Sequence, residues 1–405
     1  MSLKTDLTGL GQRLAGLEER FGSRRRAKSV PPGQTTGIPK SFYSSLRDLF
    51  TQGVTNQALK ELVKRDLLET LDFFTRTIDF ASLRSRPWYK RYPGIGWETF
   101  LSLAYRLSPA RRVAFAVAAL SFLVGSLRLL GSSQTSYHSG TRWWLVALMM
   151  VTALLFLELR DKLDLKHDLE IARDIQFGLV PPTPFQQDEI TIHCHMRPAN
   201  TVGGDYYDII DIGNRNIAVV LADVAGKGMP AALLMALLQG SLRTLITAGL
   251  RGSELIRQLN TYLYINIPDG SLVTLFHGEL NTTTGELHYV NAGHNAPFLV
   301  HRDQTQERLE STSVALGVLR DPTFQEQCHQ IGRGDHLLLF TDGIPEAFNT
   351  EDREYGEVRL SEFLKIQTKL PQNEMLQALI RDVLSFCGEA RPADDMTIMS
   401  IKRVV

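Results

Sequence analysis

The sequence predicts an α+β domain across its C-terminal half, preceded by a helical region that includes a two-helix transmembrane hairpin. Three observations carry this reading. From Ile190 onward, short apolar runs are divided by turn residues such as Gly213-Asn214, Thr284-Gly285 and Gly293-His294-Asn295. Helical blocks interrupt these strands in separate runs, which favours antiparallel layers over a doubly wound parallel sheet. Upstream, two stretches free of charge, Val113–Leu127 and Trp143–Leu157, lie close together.

Composition bounds the problem. At 405 residues the chain exceeds what one hydrophobic core supports, so more than one unit is expected. Hydrophobic residues at 43% and charged residues at 22% are ordinary for a globular protein. Forty-four basic side chains balance forty-four acidic ones, which speaks against a nucleic-acid partner. Cys194, Cys328 and Cys387 are too scattered for a disulfide framework or a zinc-type spacing and suit a reducing compartment. The first residues lack the apolar stretch of a secretory signal.

Residues 1–110 read as a helical region of unassigned role. Leu3, Leu7, Leu10, Leu14, Leu17 and Phe21 form a heptad stripe, followed by Arg24-Arg25-Arg26 and Lys28. The stripe fits a short coiled coil, a helix on an anionic membrane surface, or a helix packed on its own domain. Ser41 to about Ser85 is again amphipathic, and Trp88, Tyr89, Tyr92 and Trp97 interleave with Lys90 and Arg91 as at a membrane interface.

Residues 111–158 form the expected hairpin. Each apolar stretch is somewhat short of the ~20 residues that span a bilayer, but flanking residues extend it and arginines snorkel. The alternative is a pair of helices buried in a protein core. Basic residues on the outer flanks (Arg106, Arg111, Arg112, Arg160, Lys162, Lys166) outnumber those at the turn (Arg128, Arg142). That asymmetry places both chain ends in the cytoplasm and the protein in the inner membrane. Residues 159–184 are a helical linker. Its stripe of Leu165, Leu169, Ala172, Gln176 and Leu179 fits a coiled-coil stalk in a homodimer, or a cap on the next domain.

Residues 185–405 hold the strands and the chemistry. Strands are expected at Ile190–Met196, Tyr206–Ile212, Asn216–Val224, Leu272–Leu280, Glu286–Asn291, Pro297–His301, His336–Thr341 and Met396–Lys402. Helices are expected from Pro230 to about Ala248, Ser253 to about Asn266, Leu360–Ile366 and Asn373–Cys387. Aspartates gather at strand ends: Gly203-Gly204-Asp205-Tyr206-Tyr207-Asp208, Asp223-Val224-Ala225-Gly226-Lys227-Gly228, Thr341-Asp342-Gly343 and Asp394-Asp395-Met396-Thr397. One Asp-Gly at a strand end is usually only a turn. Several converging carboxylates are hard ligands for Mg²⁺ or Mn²⁺, and such a cation offsets their repulsion.

These motifs, with Asn291-Ala292-Gly293-His294-Asn295, resemble in order the PPM superfamily of serine/threonine protein phosphatases, and more narrowly its SpoIIE/RsbU branch. Glu170 to Gln176, running into Leu179-Val180-Pro181, resembles the entry helix of that branch. The resemblance implies a PPM-type α/β/β/α sandwich, two antiparallel sheets flanked by helices. It implies two divalent cations, Mn²⁺ or Mg²⁺, with Asp223 bridging them. The Val224 backbone carbonyl and Asp205 would complete one site, and Asp342 and Asp394 the other. Asp208 and Asp395 would sit beside these ligands or hold an additional, weaker metal. A hydroxide bridging the metals, acting through Asp223 and Asp205, would attack phosphoserine or phosphothreonine of a partner protein in bacterial signalling, such as an anti-sigma-factor antagonist. The rival expectation is a catalytically weak scaffold or regulatory binding module. Ala225 stands where some superfamily members carry histidine, so no leaving-group acid is identified. Arg197 and Lys227 are weaker candidates for substrate or regulatory contacts, and His294 reads as part of a structural turn.

Overall fold

The structure is a computed structural model and describes residues 104–105, 107–130 and 134–404. The heptad stripe, the basic run and the aromatic–basic segment of residues 1–103 lie outside the described residues, as do 131–133 of the polar turn. The chain divides into two compact units, residues 1–151 and 152–405.

In the first unit, α1 (Pro109–Leu129) begins with proline at its first turn, where a missing N–H costs nothing. The Arg112 guanidinium folds back to the carbonyls of Leu107 and Tyr105, at 2.8 and 2.7 Å. At 21 residues the helix is about 31 Å long, enough for the ~30 Å of bilayer hydrocarbon. The charge-free run alone seemed short; the helix containing it is not. α2 (Gln134–Leu179) starts in this unit and packs on α1 through two glycines. A Cβ on Gly140 would stand 3.0 Å from the Gly125 carbonyl oxygen, and one on Gly125 would meet the Trp144 indole. Trp144 stacks on Phe122 with ring centroids 5.0 Å apart. Small residues thus permit the close approach typical of helix pairs in lipid. Leu120, Leu123, Leu145, Leu148 and Met149 remain exposed, and both helices are long and apolar enough to cross a membrane by length and composition.

The second unit has eleven strands among the described residues. They are β1 (Phe185–Gln187), β2 (Ile190–Arg197), β3 (Tyr206–Gly213), β4 (Asn216–Val224), β5 (Val273–Asn281), β6 (Glu286–Ala292), β7 (Phe298–Val300), β8 (Gln306–Arg308), β9 (Gln327–Gln330), β10 (His336–Phe340) and β11 (Met396–Arg403). Four helices follow their expected places: α3 (Met229–Thr247), α4 (Gly252–Asn266), α5 (Gly356–Gln367) and α6 (Gln372–Cys387). One sheet has the order β1-β2-β11-β10-β7-β8 and the other β3-β4-β5-β6-β9, with every ladder antiparallel.

Period-2 alternation divides the core into three layers. Ala218, Val220, Ala222 and Val224 of β4 face α3 and α4, burying Met235, Leu238, Leu242 and Leu259. Their neighbours Ile217, Val219 and Leu221 face the other sheet, against Leu337, Leu339, Met399 and Ile401. The outer face of that sheet, including Leu338, Phe340 and Ile398, packs on α5 and α6. This is a helix–sheet–sheet–helix sandwich, as expected. By composition α3 also qualifies as a membrane span, but its apolar stripe of Met235, Leu238, Leu242 and Ile246 is taken by the sheet. Strands β1, β8 and β9 were not anticipated: they are three or four residues long, and β9 (Gln-Cys-His-Gln) has no apolar alternation.

Candidate metal centre

The alternation that builds the core also aims the acidic residues. Along β4, Asp223 continues the inner-face series Ile217, Val219, Leu221. On β3 the inner-face residues are Tyr207 and Ile209, and Asp205 precedes them by the same step of two. Thr341 extends the series Leu337, Leu339, and Thr397 with Asp395 extends Ile401, Met399 in reverse. All four strands reach the same end of the sandwich, because β3 and β11 begin where β4 and β10 finish. Asp205, Asp223 and Asp395, with Asp342 and Asp394 in the adjoining turns, therefore gather at one mouth of the inter-sheet layer.

Glycines make the gathering possible. A Cβ on Gly203 would collide with the Asp395 carboxylate, and one on Gly343 with the Asp395 backbone carbonyl. At Gly204 a Cβ would sit 2.6 Å from the Val224 carbonyl oxygen. Backbone amides fill the space instead: Asp395 accepts from Ala199 N–H at 2.7 Å and Gly204 N–H at 2.6 Å. The Thr341 hydroxyl donates to Asp205 at 2.9 Å and accepts from Thr397 N–H at 3.0 Å. Gln176, near the end of α2, is buried and holds both polar groups of Gly203, at 2.7 and 3.2 Å. Of the predicted linker stripe, this residue at least serves as a cap on the domain.

The electrostatics follow from burial and crowding. Burial first, then Asp342, Asp394 and Asp395, pushes the Asp223 carboxyl up to about 7. Burial, Glu346 and Asp394 raise Asp342 to about 6. Asp205, fully buried, lies well above the usual carboxylate range for the same reason, with Asp223 the main charged neighbour. Lys227, expected to be simply solvated if not functional, pairs with Asp394 at 2.8 Å and donates to the Ala393 carbonyl at 2.7 Å. The donor set is all carboxylate and carbonyl oxygen, and several carboxylates are short of positive charge. It fits hard divalent cations such as Mg²⁺ or Mn²⁺ and offers nothing to softer ones.

The structure puts one of the expected residues elsewhere and adds one that the sequence reading lacks. Asp208 is three positions after Asp205 and so points to the opposite face of β3. There it is fully buried in a bidentate pair with Arg243 of α3, at 2.7 Å on both oxygens, and accepts the Tyr206 hydroxyl. It ties α3 to the sheet and is not beside the other carboxylates. Glu346 was missed. It follows Asp342 by four residues in a tight turn (Glu346 N–H to Asp342 carbonyl, 2.8 Å) and bears on both Asp342 and Asp223. Its i, i+4 spacing was the available signal. Asp395 does sit beside Asp205, Asp223 and Asp394, but its oxygens are occupied by backbone amides. Arg197 is exposed at the end of β2, opposite Met396. His294 is buried and pushed down to about 4 by desolvation, so its ring is neutral, and Nδ1 lies 2.8 Å from the Thr274 hydroxyl. That agrees with a structural turn.

Two antiparallel sheets between helix pairs, with carboxylates clustered at one end, define a PPM-type (PP2C-like) domain. Residues 213–404 match the family model described as Stage II sporulation protein E (SpoIIE), in line with the resemblance to the SpoIIE/RsbU branch that the motifs carry. The chain is 27% identical over 280 residues to Protein IcfG of Synechocystis sp., covering 62% of this chain and 44% of that one. It is 27% identical over 243 residues to phosphoserine phosphatase RsbU of Bacillus subtilis, covering 60% and 72%. Similarity to phosphoserine phosphatase RsbP of the same organism is 28% over 187 residues, covering 45% and 46%. The chain thus spans less than half the length of two of these relatives. Among solved structures, the SiaA-PP2C domain of Pseudomonas aeruginosa superposes with a TM-score of 0.54 at 19% identity, covering 60% of this chain and 98% of that domain. That likeness bears on the fold.

Raised carboxyl groups give a signed pH dependence. Folded Asp223 and Asp342 keep protons up to about 7 and about 6, whereas in the unfolded chain aspartate releases its proton near 3.9. The folded state therefore binds more protons in that window, and stability without divalent cations falls as pH rises through it. Cations bind the deprotonated carboxylates, so their stabilisation grows with pH. In thermal melts after chelation, the midpoint should be lower at about pH 8 than at about pH 5, and added Mg²⁺ or Mn²⁺ should raise it more at the higher pH. A chelated domain that is more stable at the higher pH would contradict this electrostatic reading.

Proposed function

We propose that this chain is a metal-dependent phosphoprotein phosphatase that removes phosphate from serine or threonine of a partner protein in bacterial signalling. One observation carries the proposal: Asp205, Asp223, Asp342 and Asp394, from separate strands and turns, converge at one end of a PPM-type sandwich. Similarity to two proteins named phosphoserine phosphatases supports it. In this reading Asp223, the Val224 carbonyl and Asp205 would hold the cations, with the neighbouring turns completing the set. Asp342 and Asp394 are the residues that those turns would supply. When bound, two such cations supply Lewis acidity toward a phosphoryl oxygen and toward water.

The chain's own residues then have defined tasks. Thr341, itself held by the Thr397 N–H, fixes the Asp205 carboxylate, and the Ala199 and Gly204 amides fix the neighbouring Asp395, so these carboxylates are oriented before substrate arrives. Lys227 balances Asp394 and leaves the exposed rim next to it for a phosphoprotein loop. His294 is neutral and buried and takes no part in proton transfer. Partners of the anti-sigma-factor-antagonist type remain the favoured substrates. The apolar helices α1 and α2 anchor the protein in the inner membrane, with the catalytic domain in the cytoplasm. The exposed leucines of the linker, Leu163 and Leu165, offer a surface for homodimer pairing.

Two outcomes test this. Purified protein should hydrolyse p-nitrophenyl phosphate and a phosphoserine protein in the presence of Mn²⁺ or Mg²⁺. Asp223→Asn should lower the rate by more than the roughly 10–100-fold that loss of a ligand's outer partner costs. Turnover by the folded Asn variant equal to the parent, at matched metal, would refute the ligand assignment; no turnover by the parent would favour the scaffold reading. For location, full-length protein should sediment with membranes and resist carbonate extraction. Quantitative release would mean that α1 and α2 do not span the bilayer, and would leave the chemistry standing.

A further inference from the structure

A second cluster of metal-ligating side chains stands away from the aspartates, on the edge of the five-stranded sheet. β9 is the terminal strand of that sheet and pairs with β6, with His288 directly opposite Cys328. Glu286 lies two residues from His288 on β6, and Glu326 lies two residues from Cys328. The period of two brings all four side chains to one face. Leu287 and Tyr289 of β6 point the other way, into the inter-sheet core.

The contacts are close and of mixed chemistry. His288 Nε2 is 3.1 Å from Glu286 Oε1 and 3.9 Å from Cys328 Sγ, and Cys328 Sγ is 3.9 Å from the same Glu286 oxygen. Those three donor atoms lie within 4.8 Å of one another. Zinc bond lengths of about 2.0–2.3 Å at tetrahedral angles put ligand atoms roughly 3.3–3.7 Å apart, so the observed separations bracket what a single ion needs. The fourth residue completes the pattern. His288 Nδ1 is 3.2 Å from Glu326 Oε1, so a carboxylate can accept that ring N–H and leave the Nε2 lone pair aimed at the space between Glu286 and Cys328. This carboxylate–histidine arrangement fixes the tautomer of a ligating imidazole and raises its basicity.

We propose that Glu286, His288 and Cys328 bind one borderline transition-metal cation of the Zn²⁺ class, with Glu326 orienting His288. Thiolate and imidazole select Zn²⁺, Co²⁺ or Cu²⁺ over Mg²⁺ and Mn²⁺, so this site and the all-oxygen aspartate cluster favour different ions. On binding, the Cys328 S–H bond breaks, sulfur keeps the electron pair and donates it to the metal, and the proton leaves to solvent. No oxidation is involved. The consequence for the fold is local: the ion cross-links the four-residue edge strand β9 to β6, adding to the four-pair ladder between them. The three cysteines show no zinc spacing in the sequence. Strand register, not sequence proximity, brings Cys328 to His288.

Cobalt is the probe, because a thiolate-to-cobalt charge-transfer band reports sulfur coordination specifically. Full-length reduced protein in detergent, stripped of metal, should develop that band on Co²⁺ addition and saturate at one thiolate-bound ion per chain, even with excess Mg²⁺ present. Zn²⁺ should abolish it. Cys328→Ser and His288→Ala should each remove it while hydrolysis of p-nitrophenyl phosphate is unchanged. Glu326→Gln should keep the band but weaken affinity by roughly 10–100-fold. As a check that needs no variant, Zn²⁺ but not Mg²⁺ should slow alkylation of Cys328 at least tenfold. No band in the parent protein, a band that survives Cys328→Ser, or a band unchanged in His288→Ala would leave only a hydrogen-bonded surface cluster and overturn the proposal. Alkylation of Cys328 indifferent to Zn²⁺ would do the same.

Discussion

Several carboxylates held together at one end of a sheet sandwich repel one another, and much of the second unit is arranged around containing that repulsion. Asp205 is 2% exposed and has Asp223 as its nearest charged influence; Asp223 in turn feels Asp342, Asp394 and Asp395. Two unit charges a few ångströms apart at a protein surface interact by a few kcal/mol, and the repulsion rises further with burial. The domain answers it in three ways. Backbone amides of Ala199 and Gly204 solvate Asp395. The Thr341 hydroxyl solvates Asp205, and Lys227 partly neutralises Asp394. The charge that remains is what divalent cations would offset, so the mutual repulsion of the carboxylates is also what would draw such cations to them.

Position in the fold explains why these groups meet. Antiparallel ladders bring the beginnings of β3 and β11 to the same end as the finishes of β4 and β10, and inner-face parity then aims their next residues into one mouth. The glycines at 203, 204 and 343 are needed for space, since a Cβ at each would strike a neighbouring carboxylate or carbonyl. Gln176 extends the same economy to α2: by holding both polar groups of Gly203 it joins the end of a long helix to the loop that carries Asp205. A side chain lost there would leave two buried backbone groups unsatisfied two residues from Asp205.

Much of this was legible from the sequence, for identifiable reasons. Long strands with apolar alternation, such as β4 and β5, were placed within a residue or so of their observed bounds, because burial on both faces leaves a dense pattern. Edge strands β1, β8 and β9 were invisible, being short, polar and defined by their partners. The Asp-Gly and Gly-Gly-Asp motifs marked the carboxylates, yet adjacency in sequence misled at Asp208, whose opposite parity gives it to Arg243. Glu346 and Gln176 were not recognised as site residues because each acts through space: one by crowding Asp342, the other by clamping Gly203. The shortness of the charge-free runs obscured the span of α1, which also recruits Pro109 to Arg112.

Counting bound ions tests the central claim most directly. Mn²⁺ can be titrated into chelated protein while its free fraction is followed by electron paramagnetic resonance. The account predicts two tight Mn²⁺ ions per chain, with Asp342→Asn losing one of them and Asp208→Asn, if folded, keeping both. Binding of no Mn²⁺ by the parent, or two undiminished sites in the Asp342 variant, would contradict it.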